Sequence, residues 1–310
     1  MKVVAADGVA VASLTALAED DRFEIVPAKG EDVLRAVADA DGLIVRSATR
    51  VNAALFDFAP SLKVVIRAGV GVDNIDVEEA TRRGVAVFNT PAANTIAAAE
   101  LTFALILAAM RMVPAADRSM REGAWDRAAF QGVECHGKVL GLVGAGRIGR
   151  EVAARARAFG MTVIAYDPYL TEADGLELCP LDRVIAEADV ISLHVPLDDE
   201  TRGLIDAAAI ARMKPGSYLV NASRGGVVDE AALVDALRSG HLAGAGLDVY
   251  EEEPLPADSP LRRAPNLVLT PHLGASTVEA QERVATEAAV LMRKALAEGD
   301  LSGAVNAGRL

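Results

Sequence analysis

Residues 139–167 restrict the fold of this chain more than any other stretch. Val139-Leu140-Gly141-Leu142-Val143 reads as an apolar strand, Gly144-Ala145-Gly146-Arg147-Ile148-Gly149 as a glycine-rich turn, and the run to Phe159-Gly160 as a helix. Met161-Thr162-Val163-Ile164-Ala165-Tyr166 gives a second apolar strand, closed by Asp167. Together they make one βαβ unit of a doubly wound parallel sheet. In such a unit Gly144 permits the tight turn, Gly146 lets a pyrophosphate approach the backbone, and Gly149 lets helix and strand pack closely. The free N–H groups and dipole at the helix N-terminus favour the negative charge of the pyrophosphate. Asp167 follows Gly149 by eighteen positions, near the spacing of an acid that accepts hydrogen bonds from an adenosine ribose. That acid would repel a 2′-phosphate, and Pro168-Tyr169-Leu170 supplies no cation to pair one. The stretch predicts NAD rather than NADP.

With 310 residues, 52% of them hydrophobic, the chain has enough apolar material for two domains with buried parallel sheets. Leu101 to Met110 is the run most like a membrane segment, and Arg111 interrupts it well short of a span. Lys2-Val3-Val4-Ala5-Ala6 opens the chain as a strand, not as a basic segment with an apolar signal core. The expected location is therefore the cytoplasm, with no membrane partner. A net charge of −13 argues against nucleic acid as a partner and leaves room for an anionic substrate held by local arginines. Cys135 and Cys179 lie 44 positions apart without metal-ligand spacing, so they read as idle thiols and no metal is expected.

Residues 1–92 alternate strands with helices. Val3–Ala6, Glu24–Val26, Leu43–Val45, Val64–Ile66 and Val85–Phe88 read as strands, with helices near 9–18, 31–38, 51–58 and 77–83. Arg46-Ser47-Ala48-Thr49 and Arg67-Ala68-Gly69-Val70-Gly71-Val72-Asp73-Asn74 each directly follow a strand, where open parallel sheets present ligands. A long apolar helix is expected from Thr95 to Met112, then a segment from Ala115 to Gly123 that leads to Trp125. This arm lies outside the βαβ rhythm and is expected to form a subunit interface, with packing inside the chain as the alternative.

From 138 to about 270 the alternation resumes, with strands at 139–143, 162–166, Val190–Leu193, Tyr218–Asn221, Ala245–Val249 and Leu267–Leu269. A last helix is expected from Ser276 to Ala297, with Ser276 and Glu279 as a capping box. It follows a finished domain and is expected to return to the first. The domains are then 1–92 with 279–310, and 93–278, with the two crossings forming a hinge around a cleft.

Three stretches follow strands of the second domain: Asn221-Ala222-Ser223-Arg224-Gly225-Gly226, Leu247-Asp248-Val249-Tyr250-Glu251-Glu252-Glu253-Pro254, and Pro271-His272-Leu273-Gly274-Ala275-Ser276-Thr277. Singly, Arg224 reads as surface charge, Glu253 as part of an acidic run and His272 as a loop histidine. Together they put an anion clamp, a carboxylate and an imidazole at one end of a dinucleotide-binding sheet. Oxidation of a 2-hydroxy acid needs that set. As hydride leaves carbon, a base takes the hydroxyl proton, a task suited to histidine near neutral pH. A neighbouring carboxylate stabilises the imidazolium and fixes the tautomer. A guanidinium holds carboxylate and carbonyl oxygens through its fixed fork of donors.

With these motifs the chain resembles the D-isomer-specific 2-hydroxyacid dehydrogenases, from Leu43-Ile44-Val45-Arg46-Ser47-Ala48-Thr49 to the last helix. The resemblance implies a doubly wound (Rossmann) NAD domain plus a smaller flavodoxin-like α/β substrate domain. It puts the catalytic set on Arg224, Glu253 and His272, the ribose acid on Asp167 and the nicotinamide carboxamide partner on Asp248. Further cofactor contacts fall on Gly144, Gly146, Arg147, Ile148, Gly149, Val195, Ala222, Ser223, Gly274 and Ala275. The likeness is greatest to the branch that oxidises 3-phospho-D-glycerate to 3-phosphooxypyruvate at the start of serine synthesis. There the matching substrate residues are Arg46, Ser47, Val70 and Gly71, joined by Arg127 from the partner of a homodimer. Val70 stands where some relatives carry Thr, so a hydroxyl contact is lost while the backbone contact survives. The alternatives are another 2-hydroxy acid, such as glyoxylate or hydroxypyruvate in reverse, and a non-enzymatic NAD-sensing scaffold. Formate chemistry is disfavoured because that branch pairs its histidine with glutamine. Longer members carry C-terminal domains that bind serine; the sequence stops before one, and no inhibition by L-serine is expected.

Overall fold

Every strand of the first sheet carries apolar residues on both faces, the pattern of a parallel sheet covered on both sides. The computed structural model, which describes residues 1–173 and 175–310, divides into two compact units: Met1–Asn94 with Ala275–Leu310, and Thr95–Gly274.

In the first unit, strands β1 (Lys2–Ala5), β2 (Glu24–Pro27), β3 (Gly42–Val45), β4 (Val64–Arg67) and β5 (Ala86–Asn89) pair in parallel in the order β2-β1-β3-β4-β5. That is the flavodoxin-like order. Val3, Ile44, Ile66 and Phe88 point to one face, against Val284, Ala288 and Met292 of the helix Val278–Arg293. Val4, Leu43, Val65 and Val87 point to the other, against Val33, Leu55, Phe56 and Ala80. These last come from α2 (Asp32–Ala36), α3 (Ala53–Phe58) and α4 (Val77–Arg82), which follow the short α1 (Thr15–Ala18). The helix expected near 9–18 is broken into a 3-10 turn at Val11–Ser13 and α1.

The second unit opens with α5 (Thr95–Met110) and α6 (Val113–Arg121). Its sheet holds β6 (Val139–Val143), β7 (Thr162–Tyr166), β8 (Glu177–Leu178), β9 (Val190–Leu193), β10 (Ser217–Asn221), β11 (Leu242–Leu247) and β12 (Leu267–Leu269). They run parallel in the order β12-β11-β10-β9-β6-β7-β8. The chain leaves β6 toward β7 and β8, then returns to place β9 on the other side of β6. That reversal is the switch point at which doubly wound sheets bind ligands. Helices α7 (Arg147–Ala158), α8 (Leu181–Glu187), α9 (Ala207–Arg212) and α10 (Glu230–Ser239) make the crossovers. The helix Val278–Arg293, α11, then belongs to the first unit.

Three differences from the sequence reading have physical causes. β11 begins three residues earlier than expected, at Leu242, so that Gly244 lies inside the strand, and both Gly244 and Gly246 serve close packing. An added Cβ at Gly246 would lie 3.0 Å from Leu105 Cβ of α5. α5 itself buries Phe103, Leu105, Ile106 and Met110 within its own unit, so packing inside the chain explains its apolar surface. Exposed apolar side chains of the arm lie further on, at Val113, Met120 and Trp125, the last 77% exposed. The third difference is the start of α11. Thr277 is the N-cap, its hydroxyl accepting from Ala280 N–H at 3.1 Å, so the position for a returning acid falls on Ala280 and no Ser276–Glu279 capping box forms.

Candidate active site

The C-terminal edge of the second sheet collects the side chains with chemistry to do. After β6, Gly144 turns the chain with φ at +98°, where an added Cβ would lie 2.5 Å from the carbonyl oxygen of His194. At Gly149 a Cβ would overlap the Gly144 carbonyl. Gly146 is the N-cap of the twelve-residue α7, makes no side-chain capping bond, and has nothing within 4 Å of where a Cβ would stand. A Gly146 without a side chain leaves the N-terminus of α7 uncovered at that position, and the first-turn N–H groups there could hold a pyrophosphate. Arg147 and Ile148 begin that turn.

Asp167, at the end of β7, is fixed by two bonds. Its Oδ2 accepts from Ala145 N–H at 2.9 Å and its Oδ1 from Tyr169 N–H at 3.0 Å. Each oxygen retains a lone pair for a ribose hydroxyl. Beside this turn, beyond β9, the imidazole of His194 is half-buried, and desolvation lowers its pKa to about 4. It stays neutral, with Nε2 2.9 Å from the hydroxyl of the buried Ser192. Val195, next to it, is buried.

Glu253 and His272 meet directly. Nδ1 of His272 lies 2.7 Å from Oε2 of Glu253, and the two side chains are each 34% exposed. The other carboxylate oxygen of Glu253 accepts from Tyr250 N–H at 3.1 Å. Burial raises the pKa of Glu253, but the hydrogen bond and charge of His272, the Tyr250 N–H and the charge of Arg224 outweigh it and leave it lowered. A carboxylate therefore faces Nδ1, which bears the proton, and Nε2 is left as the basic atom.

His272 sits in an unusual backbone conformation, φ +55°, which costs energy unless its surroundings impose it. Asp248 imposes it. This residue, 0% exposed at the end of β11, takes the Thr270 hydroxyl at 2.6 Å and Leu273 N–H at 2.7 Å on Oδ1, and Gly274 N–H at 2.9 Å on Oδ2. Its backbone carbonyl accepts from His272 N–H at 2.9 Å. Burial raises the Asp248 pKa, opposed by these bonds. Tyr250 adds a second brace, its hydroxyl donating to Thr270 C=O at 2.7 Å.

Arg224 follows β10, on the strand beside β11. One guanidinium nitrogen donates to Ser223 C=O at 2.7 Å, and Ala222 and Ser223 lie in the same turn. Gly225 packs so tightly that an added Cβ would overlap the carbonyl of Tyr250 and stand 2.8 Å from Glu251 N. The loop of Arg224 thus packs on the loop of Glu253, which in turn meets His272.

In the first unit, Arg46 and Ser47 follow β3, and Val70 and Gly71 follow the adjacent β4. Asp7 accepts Arg46 N–H at 2.8 Å and Thr49 N–H at 3.1 Å, while Asn74 Nδ2 donates to the carbonyls of Arg46 at 2.8 Å and Thr49 at 2.7 Å. Asn89 holds Val70 C=O at 2.5 Å. Arg127 is exposed, ahead of the 3-10 turn Ala128–Phe130 of the second unit. Sequence reasoning assigned no role to the bracing residues Asp7, Asn74, Asn221 and Tyr250, although the last three lie within the quoted stretches. Their positions at strand ends were the available clue.

Residues 103–274 match the family model described as D-isomer specific 2-hydroxyacid dehydrogenase, NAD binding domain. The chain is 51% identical to the D-3-phosphoglycerate dehydrogenase of Mycobacterium tuberculosis (strain ATCC 25618 / H37Rv), with 99% of this chain and 59% of that protein aligned. It therefore spans less than two thirds of that relative's length. The structure of the TT0316 protein from Thermus thermophilus matches with TM-score 0.90 and 40% identity over 98% of this chain and 100% of that one. An NAD-dependent formate dehydrogenase from Staphylococcus aureus, solved with NAD, matches with TM-score 0.86 and 31% identity over 97% of both chains.

Proposed function

Because the chain belongs to the D-isomer specific 2-hydroxyacid dehydrogenase family, we propose that it oxidises 3-phospho-D-glycerate to 3-phosphooxypyruvate with NAD, the first step of serine synthesis. The observation that carries the chemistry is the 2.7 Å contact between His272 Nδ1 and Glu253 Oε2. NAD, when bound, supplies the hydride acceptor. His272 takes the hydroxyl proton on Nε2 during oxidation and returns it during reduction. Glu253 keeps the proton on Nδ1 and stabilises the imidazolium that forms, at a site built before substrate arrives. Arg224 binds the substrate carboxylate and polarises the reacting carbonyl.

The substrate assignment rests on the phosphoglycerate dehydrogenases at about half identity and on arginines suited to a phosphate. Arg46, on its braced loop, and Arg127, reaching in from a partner subunit, would hold the phosphate, while backbone N–H groups of Val70 and Gly71 hold the carboxylate. The same reading makes the protein a homodimer joined through the segment of Met120 and Trp125, and places it in the cytoplasm, where its two free cysteines suit a reducing environment.

Replacing His272 by Ala tests the assignment. Turnover should fall by roughly two to four orders of magnitude with NAD affinity little changed, and near-normal turnover would refute it.

A further inference from the structure

The asparagine that opens the Arg224 turn has no part in the chemistry above, yet it is built firmly into that turn. Asn221 is the last residue of β10 and 2% exposed. Its side-chain amide is used at both ends. Oδ1 accepts from Ser223 N–H at 3.0 Å and from the Ser223 hydroxyl at 2.8 Å, while Nδ2 donates to Arg224 C=O at 2.8 Å. Its backbone carbonyl accepts from Asp248 N–H at 2.9 Å. One residue thus closes the turn that carries Arg224 and ties it to the loop that carries Glu253.

We propose that Asn221 is the positioning residue for Arg224, and that its neutral amide sets how tightly the site holds a substrate carboxylate. The proposal rests on the reading of Arg224 as the carboxylate clamp. The turn demands an acceptor and a donor on one small planar group, which an amide supplies and a carboxylate does not. An aspartate here would set an oxygen against the Arg224 carbonyl with no proton between them. It would also bury a negative charge within the same hydrogen-bonded turn as the guanidinium, where it competes with the substrate for that cation. Asparagine keeps the turn closed without adding a negative charge beside Arg224.

The test compares wild type, Asn221→Asp, Asn221→Ala and Arg224→Ala. The readings are KM and kcat for the 2-hydroxy acid, and the Kd of oxamate, an isostere of a 2-oxo acid, for the NADH-bound enzyme. Asn221→Asp is expected to raise KM and oxamate Kd about tenfold or more at pH 7.5, the worth of one charged hydrogen bond, with a smaller change in kcat. The oxamate defect should shrink at pH 5.5, where protonation gives the buried acid a donor again. Values within twofold of wild type for Asn221→Asp, with Arg224→Ala impaired, overturn the proposal and leave the clamp standing. A loss confined to kcat and thermal stability, with KM and Kd unchanged and no pH recovery, also overturns it, because that is what a merely structural asparagine gives. If Arg224→Ala itself leaves KM and oxamate Kd unchanged, the clamp reading fails and the proposal falls with it. Should Asn221→Asp not fold, Asn221→Ala, which removes the acceptor and the donor that hold the turn, is expected to raise oxamate Kd about tenfold as well, and a Kd within twofold of wild type there overturns the proposal.

Discussion

His272 and Glu253 arrive from the ends of different strands, β12 and β11, yet Nδ1 of the first lies 2.7 Å from Oε2 of the second. Neither loop holds this contact by itself. Asp248 sets the His272 turn and Tyr250 N–H sets the Glu253 carboxylate. Glu253→Gln keeps the shape of that contact but removes the charge, so kcat should fall about a hundredfold with the fold intact. The pH dependence follows from the lowered pKa of Glu253. A depressed carboxylate contributes fully above its ordinary range and loses its effect as pH falls through the lowered value. Glu253 therefore remains ionised at pH 5, and kcat measured against pH should show no acid limb from this group above that point. A limb near pH 5 that disappears in Glu253→Gln would contradict this role.

Gly225 offers a sharper probe of how the three loops depend on one another. A Cβ there would overlap the Tyr250 backbone, which cannot rotate away as a side chain could. Gly225→Ala should push the Arg224 and Glu253 loops apart, lowering kcat/KM by about a hundredfold and stability by roughly 1–3 kcal/mol. A variant with normal kcat/KM would mean that the loops adjust independently.

His194 should make the protein sensitive to acid. Its pKa, about 4 in the folded chain because of burial, lies below the ordinary histidine value of about 6.5. The unfolded chain then binds the extra proton between those values, so stability declines as pH falls from about 6.5 to about 4. In urea unfolding, the loss from pH 7 to pH 4.5 should be smaller for His194→Gln by on the order of 2 kcal/mol. Equal losses would show that His194 is protonated without penalty.

On the proposed assignment, phosphate recognition is separable from carboxylate recognition. Arg46→Ala or Arg127→Ala should raise KM for 3-phospho-D-glycerate about 10–100-fold, the worth of a charged hydrogen bond, and leave KM for D-glycerate nearly unchanged. Equal effects on both substrates would remove the phosphate assignment.

Much of this was legible in the sequence where a residue's chemistry and its neighbours' periodicity agreed. The βαβ unit from Val139 to Asp167 appears with both strand boundaries as read, because apolar alternation and glycine spacing point the same way. Arg224, Glu253 and His272 could be singled out as candidates because each lies in a recognisable motif that follows a strand. The two-residue β8 escaped notice, since Glu177-Leu178 is too short to show a period. The start of α11 was misread because Ser276 and Thr277 are both good caps, and only the backbone, extended at Thr277, chooses between them. Tyr250 and Asp7 were illegible for another reason: their task is to hold other residues' backbone, and a hydrogen bond to a carbonyl or N–H group leaves no mark on the partner's identity.

What separates this site from those of its relatives with smaller substrates is the proposed oxidation of a phosphorylated D-2-hydroxy acid with NAD. NADH formation at alkaline pH, with 3-phospho-D-glycerate beside D-lactate, D-glycerate and D-2-hydroxyglutarate, decides the point in one assay. The kcat/KM for 3-phospho-D-glycerate should exceed each of the others by at least about a hundredfold, from one or two charged contacts to the phosphate. A preference for an unphosphorylated acid, or no NADH from any of the four, would contradict the assignment.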